Sequence, residues 1–389
     1  MQEIYYDNSA TTQVCQEALA AATLAMTSEY GNPSSVHGRG AAAFRLLNSA
    51  RTTLARAMGV PAEELYFTSC GTESNNTAVY GAALSGGKRA KRLLISSIEH
   101  PSVEQAAKYL MNKGFSLEFI PVDRQGVLDL GALRQQLNEE VALVSVMHVN
   151  NETGTIQPLR QVGAAVRELA PEAVFHVDAV QSFARLPLEL KAWQADACTI
   201  SGHKIHAPKG VAALWLRGAC RVQSLLRGGG QEKNFRSGTE NMPGILALSA
   251  AAEEACTKME QNERQISAVR KRLLAGLQAE LPDLRINSPD NAAAHILNIS
   301  FLGARSEVLL HYLEQSQLYV SSGSACTSKS SKGSHVLEAM QLPPDVVDSA
   351  LRFSFSRFNT LEEAERAVSI IVQAVQEIRC IMGRNKKKR

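Results

Sequence analysis

The sequence lacks any apolar run approaching the roughly eighteen residues that a membrane span requires. Its first residues, MQEIYYDNSATT, lack the basic start and apolar stretch of a secretion signal, and they are too acidic and arginine-poor for an organelle transit peptide. A cytoplasmic location is the expectation. Paired cysteine patterns are missing too, since the seven cysteines are odd in number and none forms a C-x-x-C pair. That argues against a disulfide framework and a structural zinc site, and leaves reduced thiols with no resident metal. Nor is there a dominant charge sign. The net charge is +3, yet five basic side chains crowd into the last six positions, Arg384 to Arg389. Without that tail the body is slightly acidic, so nothing electrostatic points to direct contact with nucleic acid. The tail itself reads as a solvated end.

What is present is ordinary for a globular protein: 389 residues, 45% apolar and 20% charged. This length suits one large domain and a smaller one. Short β-rich runs at 65–68, 93–96, 117–122, 141–149, 174–177, 198–201 and 211–216 alternate with helical patterns such as 101–113 and 159–169. Several runs are nearly continuous in Val, Ile and Leu, as in strands buried on both faces. The alternation predicts an α/β domain with a mostly parallel sheet.

After about residue 240 the texture changes. A long helical stretch over 243–280 leads to strands at 295–301 and 318–321, with a helix at 306–315 between them. A strand at 351–355 precedes a last helix. That helix opens with Thr360 and Glu363 in capping-box spacing and sets Ala364, Ala367, Val368, Ile371, Val375 and Ile378 on one face. The expected division is a large domain over 16–250, a smaller α+β domain over 1–15 and 251–380 that carries a loop at 321–333, and a basic tail over 381–389.

In an open α/β sheet, ligands bind beyond the carboxyl ends of the strands. The run at 174–177 ends in Asp178 and Gln181, and the run at 198–201 leads into Ser201-Gly202-His203-Lys204. A lysine just behind a buried strand is costly unless it is paired or covalently modified. Schiff-base chemistry uses such a lysine, because desolvation exposes a nucleophilic amine, and a nearby acid would hold a pyridinium nitrogen protonated. A plain Asp–Lys ion pair at the sheet edge would give the same pattern. Thr68-Ser69-Cys70-Gly71-Thr72 ends another strand and opens a helix, which suits either a phosphate held at the helix N-terminus or simple capping by Ser69 or Thr72. His100 lies past the run at 93–96, where it would serve a cofactor face or sit as an edge histidine. The loop around Cys326 is almost pure Ser, Gly and Lys, and Lys329 and Lys332 would favour a thiolate there. An incidental surface cysteine is the alternative. The triple glycine at 228–230 lacks dinucleotide-loop spacing and reads as a turn.

Six stretches together resemble the cysteine desulfurase family. They are Tyr6-Asp7-Asn8-Ser9-Ala10-Thr11-Thr12, Gly31-Asn32-Pro33-Ser34-Ser35, His148-Val149-Asn150-Asn151-Glu152-Thr153-Gly154, Ser201-Gly202-His203-Lys204, Arg236-Ser237-Gly238-Thr239 and Ser322-Gly323-Ser324-Ala325-Cys326. This family lies in the class V branch of aminotransferase-like enzymes that use pyridoxal 5'-phosphate. The likeness runs from about residue 4 to 380 in the family's order. The serine-rich form of the Cys326 loop resembles the branch that serves housekeeping iron–sulfur cluster assembly and tRNA thiolation.

The resemblance implies a fold type I transferase that converts L-cysteine to L-alanine and leaves the sulfur on Cys326 as a persulfide. It implies that Lys204 carries the cofactor as a Schiff base and shuttles the Cα proton. Asp178 would pair with the pyridine nitrogen, Gln181 with the phenolic oxygen, and His100 would lie on the ring as an acid–base group. Gly71, Thr72, Ser201 and His203 would hold the phosphate, with Thr239 reaching in from the other subunit of a homodimer. Asn151, beside the cofactor, and Arg352 would bind the substrate carboxylate. The persulfide would pass to a sulfur acceptor protein, either an iron–sulfur scaffold or a tRNA-thiolating enzyme, and Cys326 could join a transferred iron–sulfur cluster. Cys70 departs from the family pattern, which has glycine there. The same residues would also suit a selenocysteine lyase, or a docking platform for sulfur acceptors.

Overall fold

The computed structural model describes residues 3–86, 90–218, 220–323 and 333–386, with side chains to residue 381. Cys326 and most of its loop, 324–332, therefore lie outside the described residues.

The strands are β1 (Ile4–Tyr5), β2 (Leu65–Thr68), β3 (Arg92–Ser96), β4 (Ser116–Ile120), β5 (Val141–Met147), β6 (Val174–Asp178), β7 (Ala197–Ser201), β8 (Ala212–Leu216), β9 (Arg285–Ile286), β10 (Ile296–Ser300), β11 (Leu318–Tyr319) and β12 (Ala350–Ser354). The helices are α1 (Gln16–Thr27), α2 (Gly38–Met58), α3 (Gly71–Ser85), α4 (Pro101–Met111), α5 (Leu130–Gln136), α6 (Leu159–Leu169), α7 (Met242–Thr257), α8 (Met259–Glu280), α9 (Ser306–Gln315), α10 (His335–Ala339), α11 (Pro344–Asp348) and α12 (Leu361–Lys386).

Seven strands form the main sheet in the order β2-β8-β7-β6-β5-β3-β4, and only β8 runs antiparallel to its neighbours. The mostly parallel sheet expected from the sequence is present. Every residue of β5, β6, β7 and β8 is buried, which explains their near-continuous apolar runs. His176 in β6 is one of the few polar residues in these strands. Its imidazole bridges Ser145 Oγ of β5 at 2.9 Å and Thr199 Oγ1 of β7 at 3.0 Å, so both ring nitrogens are satisfied inside the sheet.

A second core gathers β1, α8, β10, α9, β12 and α12 around Phe301, Phe353 and Phe355. There β10 pairs antiparallel with β12 and β9, while β1 runs parallel to β11. The capping box of α12 forms as the spacing predicts: Glu363 N–H donates to Thr360 Oγ1 at 3.2 Å, and Thr360 N–H donates to Glu363 Oε2 at 3.1 Å. The helical stretch expected over 243–280 is instead two helices, broken at Lys258, where φ −102° and ψ 14° leave the α region. Helix α7 packs on α1 and α2, whereas α8 packs on α12, so the break lets one stretch serve two cores.

The amino-terminal segment ties these parts together. After β1, Asn8 Nδ2 donates to Ser354 O, Thr12 N–H donates to His203 O, and Cys15 N–H donates to His206 O. This carries Asp7 to Thr12 from the end of β12 across to the turn that holds Lys204.

Candidate active site

The carboxyl ends of β2, β6 and β7 bring together most of the residues singled out in the sequence. Lys204 closes the 3-10 turn Gly202–Lys204 just past β7, and its Nζ donates to Ser9 O at 2.5 Å and to Ala10 O at 2.9 Å. Ser9 O also accepts from Gln181 Nε2 at 3.1 Å, so one carbonyl joins the lysine to the glutamine. Among the described residues no ion pair joins Asp178 to Lys204.

Asp178 is 5% exposed, and its partners are neutral: Oδ1 accepts from Val180 N–H at 2.9 Å and Oδ2 from Asn75 Nδ2 at 2.7 Å. Asn75 Nδ2 also donates to Ser102 Oγ at 2.8 Å, and that hydroxyl lies 2.8 Å from His100 Nδ1. A continuous polar chain therefore runs Asp178–Asn75–Ser102–His100. The Ser102 N–H donates to His100 Nδ1 at 3.1 Å, which makes Nδ1 an acceptor and leaves the proton of the neutral ring on Nε2. Burial lowers the pKa of His100 from its ordinary value, against the pull of Asp178 and with help from Lys204 and His335.

Below the same strand end, Glu99 is 1% exposed, and Oε1 accepts from Met147 N–H at 2.5 Å. Burial, and after it the nearby Asp178, raise its pKa well above the ordinary carboxylate value.

The residues expected to hold phosphate meet at the start of α3. A Cβ on Gly71 would lie 3.2 Å from Val180 Cγ2 and 3.5 Å from Ser201 Cβ, so the glycine keeps a gap open there. Ser201 Oγ, in a residue 2% exposed, has no hydrogen-bond partner among the described residues. An orphaned buried hydroxyl beside the free N–H groups of a helix start fits an anion. Thr72 lies exposed in the first turn. His203 Nδ1 stands 3.3 Å from Thr11 Oγ1, and burial pushes its pKa down to about 4, with Lys204 and Lys209 adding to the fall. Taken together, an uncompensated buried carboxylate, a lysine behind it and an open anion cradle fit pyridoxal phosphate at its nitrogen, aldehyde and phosphate ends.

The cap of α3 differs from the reading that gave it to Ser69 or Thr72. Cys70 is the N-cap, and its Sγ accepts from Glu73 N–H at 3.5 Å. Ser69 donates instead to Glu73 Oε2. Glu73 also takes a bidentate pair from Arg236, at 2.8 Å and 3.1 Å, which ties the Arg236–Thr239 segment to the start of α3. Thr239 itself is exposed and, among the described residues, hydrogen-bonds to none of the other site residues.

Arg352, in β12, is 5% exposed and reaches both sides of the site. Its guanidinium donates to Asn151 O at 3.0 Å and pairs with Asp7 Oδ1 at 2.8 Å, while Nε is buried without a partner. Its backbone also exchanges hydrogen bonds with Ser321, where the Cys326 loop begins. Asn75, Ser102 and Ser9 belong to the site but were not picked out as functional from the sequence. Asn75 had a signal, since it sits one helical turn after Gly71 and so on the same face of α3. The carbonyl of Ser9 had none.

The model of the aminotransferase class-V family matches residues 4–367. Among curated proteins, the chain is 41% identical over 382 residues to "Cysteine desulfurase 2" of Trichormus variabilis, covering 98% of this chain and 95% of that one. It is 38% identical to "Cysteine desulfurase IscS" of Methanosarcina thermophila, covering 97% and 93% of the two chains. Of solved structures, one described as a "NIFS-LIKE PROTEIN" superposes with a TM-score of 0.91 at 34% identity, covering 96% of this chain and all of that one. A second, "SspA in complex with cysteine", gives a TM-score of 0.81 at 28% identity and covers 92% of this chain and 100% of that one.

Proposed function

The chain belongs to the class-V aminotransferase family, and from that premise we infer that it is a pyridoxal-phosphate-dependent cysteine desulfurase. The observation that carries this reading is the juxtaposition of buried Asp178, hydrogen-bonded to an amide and a backbone N–H, and Lys204 one strand away. When bound, pyridoxal phosphate supplies an electron sink that weakens the bonds at the Cα of an amino acid.

The residues of this chain then divide the work. Lys204 holds the cofactor's aldehyde end and moves the Cα proton at its Nζ. Asp178, steadied by Asn75, keeps a proton on the pyridine nitrogen, and Gln181 hydrogen-bonds the phenolic oxygen. Gly71, Thr72, Ser201 and His203 take the phosphate, and Thr239 of a second copy of the chain completes that cradle in a homodimer. His100 covers the ring and, with its proton on Nε2, acts as acid–base group near the substrate thiol. Arg352 and Asn151 fix the substrate carboxylate. The Cys326 thiolate attacks the substrate Sγ, so that an S–S bond forms as the Cβ–Sγ bond breaks. The carbon side takes up the proton and leaves as alanine, and Cys326 keeps the sulfur as a persulfide.

The large unit over 16–250 supplies the cofactor residues, and the smaller one over 1–15 and 251–380 supplies Arg352 and the loop. We assign the persulfide to an acceptor protein of iron–sulfur assembly or tRNA thiolation in the cytoplasm. Among the described residues, no helix is long and apolar enough to cross a membrane. Replacing Cys326 by Ala tests the division of labour. The variant is expected to bind cofactor and L-cysteine, with their usual absorbance change, yet to transfer no sulfur to an acceptor. Unchanged persulfide formation would refute the role. Offering cysteine and selenocysteine separately discriminates the lyase reading, since efficient alanine release from selenocysteine alone would favour it. A docking platform would need neither Lys204 nor Asp178, and retained function in their Ala variants would favour that reading.

A further inference from the structure

A cavity of about 480 Å³ lies outside the site just described, between α8, the turn after β6 and the segment leading into β10. Two arginines, a lysine and a histidine are among its lining side chains: Arg185, Arg270, Lys271 and His295. Neither arginine has a carboxylate within ion-pair distance among the described residues. Arg185 donates to Gln181 O, to Gln181 Oε1 and to Lys204 O, all of them neutral acceptors. Arg270 donates to Ala292 O at 3.2 Å. Both arginines are half-buried: burial pulls Arg185 down to about 10, and it lowers Arg270 against the longer-range pull of Asp290. The cavity thus offers two guanidinium groups to a carboxylate.

His295 adds a different requirement. It is 3% exposed, and its Nε2 has no hydrogen-bond partner among the described residues. Burial, together with Arg185 and Arg270, holds the imidazole well below its ordinary pKa, while its other nitrogen bonds the Gln181 backbone. A neutral ring that donates through Nδ1 presents a bare acceptor at Nε2. An acceptor there cannot serve a carboxylate, but it can receive an N–H. Asp290 and Glu263 also line the cavity; the former has no ion pair among the described residues, and the latter is bonded only by Ser267 Oγ. Donors for an anion and acceptors for a cation therefore face one small space.

We propose that this cavity is a second binding site that takes a free α-amino acid as a zwitterion, its carboxylate on Arg185 and Arg270 and its ammonium toward His295, Asp290 and Glu263. Arg185 also grips the backbone of Lys204 and both ends of Gln181, so an occupant bears on the catalytic turn without entering the catalytic site. The site is an effector site for the enzyme's own substrate class.

The test uses full-length holoenzyme treated with borohydride, which fixes the cofactor to Lys204 and prevents amino acids from entering by exchange there. Titration calorimetry with L-glutamate is expected to show binding at this cavity, lost by about tenfold or more in Arg270→Gln, the scale of one charge-assisted contact. Glutarate, the same skeleton without the ammonium, is expected to bind wild type at least about tenfold more weakly than glutamate, for the same reason. Equal binding of glutarate and glutamate would overturn the zwitterion assignment, and it needs no variant to fold. Absence of glutamate binding at millimolar concentration, or binding untouched by Arg270→Gln, would overturn the site.

Discussion

At the residue scale, the proposed site rests on a carboxylate with no ion pair among the described residues. Asp178 is held by an amide and a backbone N–H, so its charge stays available to a cofactor nitrogen. Asn75 is what keeps it there, and the same amide reaches His100 through Ser102. Asn75→Ala leaves one Asp178 oxygen unpaired and cuts that chain, so kcat is expected to fall about 10- to 100-fold, the usual cost of losing an outer-shell partner. Steady-state kinetics together with the cofactor absorbance against pH check this, because a merely structural role would leave the absorbance titration unmoved. Lys204, Asp178 and Gln181 were legible in the sequence because each follows an apolar run that could only be a buried strand. Asn75 and Ser9 were not, because their roles arise from where a helix face and a main-chain carbonyl meet in space, and no side-chain pattern encodes that meeting.

At the scale of elements, the segments that carry site residues are pinned by polar contacts far along the chain. Arg51 of α2 pairs with Glu232 through two bonds of 2.7 Å, with side chains 7% and 2% exposed. Glu232 also accepts from Phe67 N–H of β2 at 2.8 Å. This anchor holds a turn in which Glu232, Lys233 and Asn234 all have positive φ, a conformation costly for residues other than glycine. The turn leads to Arg236, which clamps Glu73 at the start of α3. Removing one partner of a buried pair strands the other, so Arg51→Ala is expected to cost about 3–5 kcal/mol in urea unfolding of the holoenzyme. Strands and helices in this part of the chain were readable from period and β-propensity. The anchor was not, since Arg51 sits among the polar residues of an amphipathic helix and looks like a solvated face. The break between α7 and α8 was equally hidden, because both halves keep helical spacing and only the two cores they serve separate them.

At the scale of the whole molecule, burial of histidine shapes the response to pH. Burial brings His148 and His176 to about 4, and His206 to about 3 with help from Arg357. Their pKa values are lower in the folded chain than in the unfolded one, so between about 6.5 and 4 the unfolded chain binds more protons. Stability is therefore expected to fall with falling pH over that window, by up to about 1.4 kcal/mol per pH unit for each histidine. Glu99 and Glu152 act in the opposite sense, because burial raises their pKa values and favours the folded state at low pH. His100, His203 and His295 are lowered as well, so six histidines face these two acids, and urea midpoints measured at pH 7.5 and pH 5 are expected to drop toward the acid side. A flat or rising profile would show that the two acids dominate.

The account turns on sulfur leaving the substrate for one thiol of this chain. Cys70 gives a stringent internal control, since it stands at the phosphate cradle with a sulfur of its own. A single turnover of holoenzyme with L-cysteine, followed by peptide mass spectrometry and alanine quantitation, reads the outcome directly. The prediction is one added sulfur atom on Cys326 for each alanine released, with none on Cys70. Alanine released without sulfur on Cys326, or sulfur found on Cys70 instead, would contradict it.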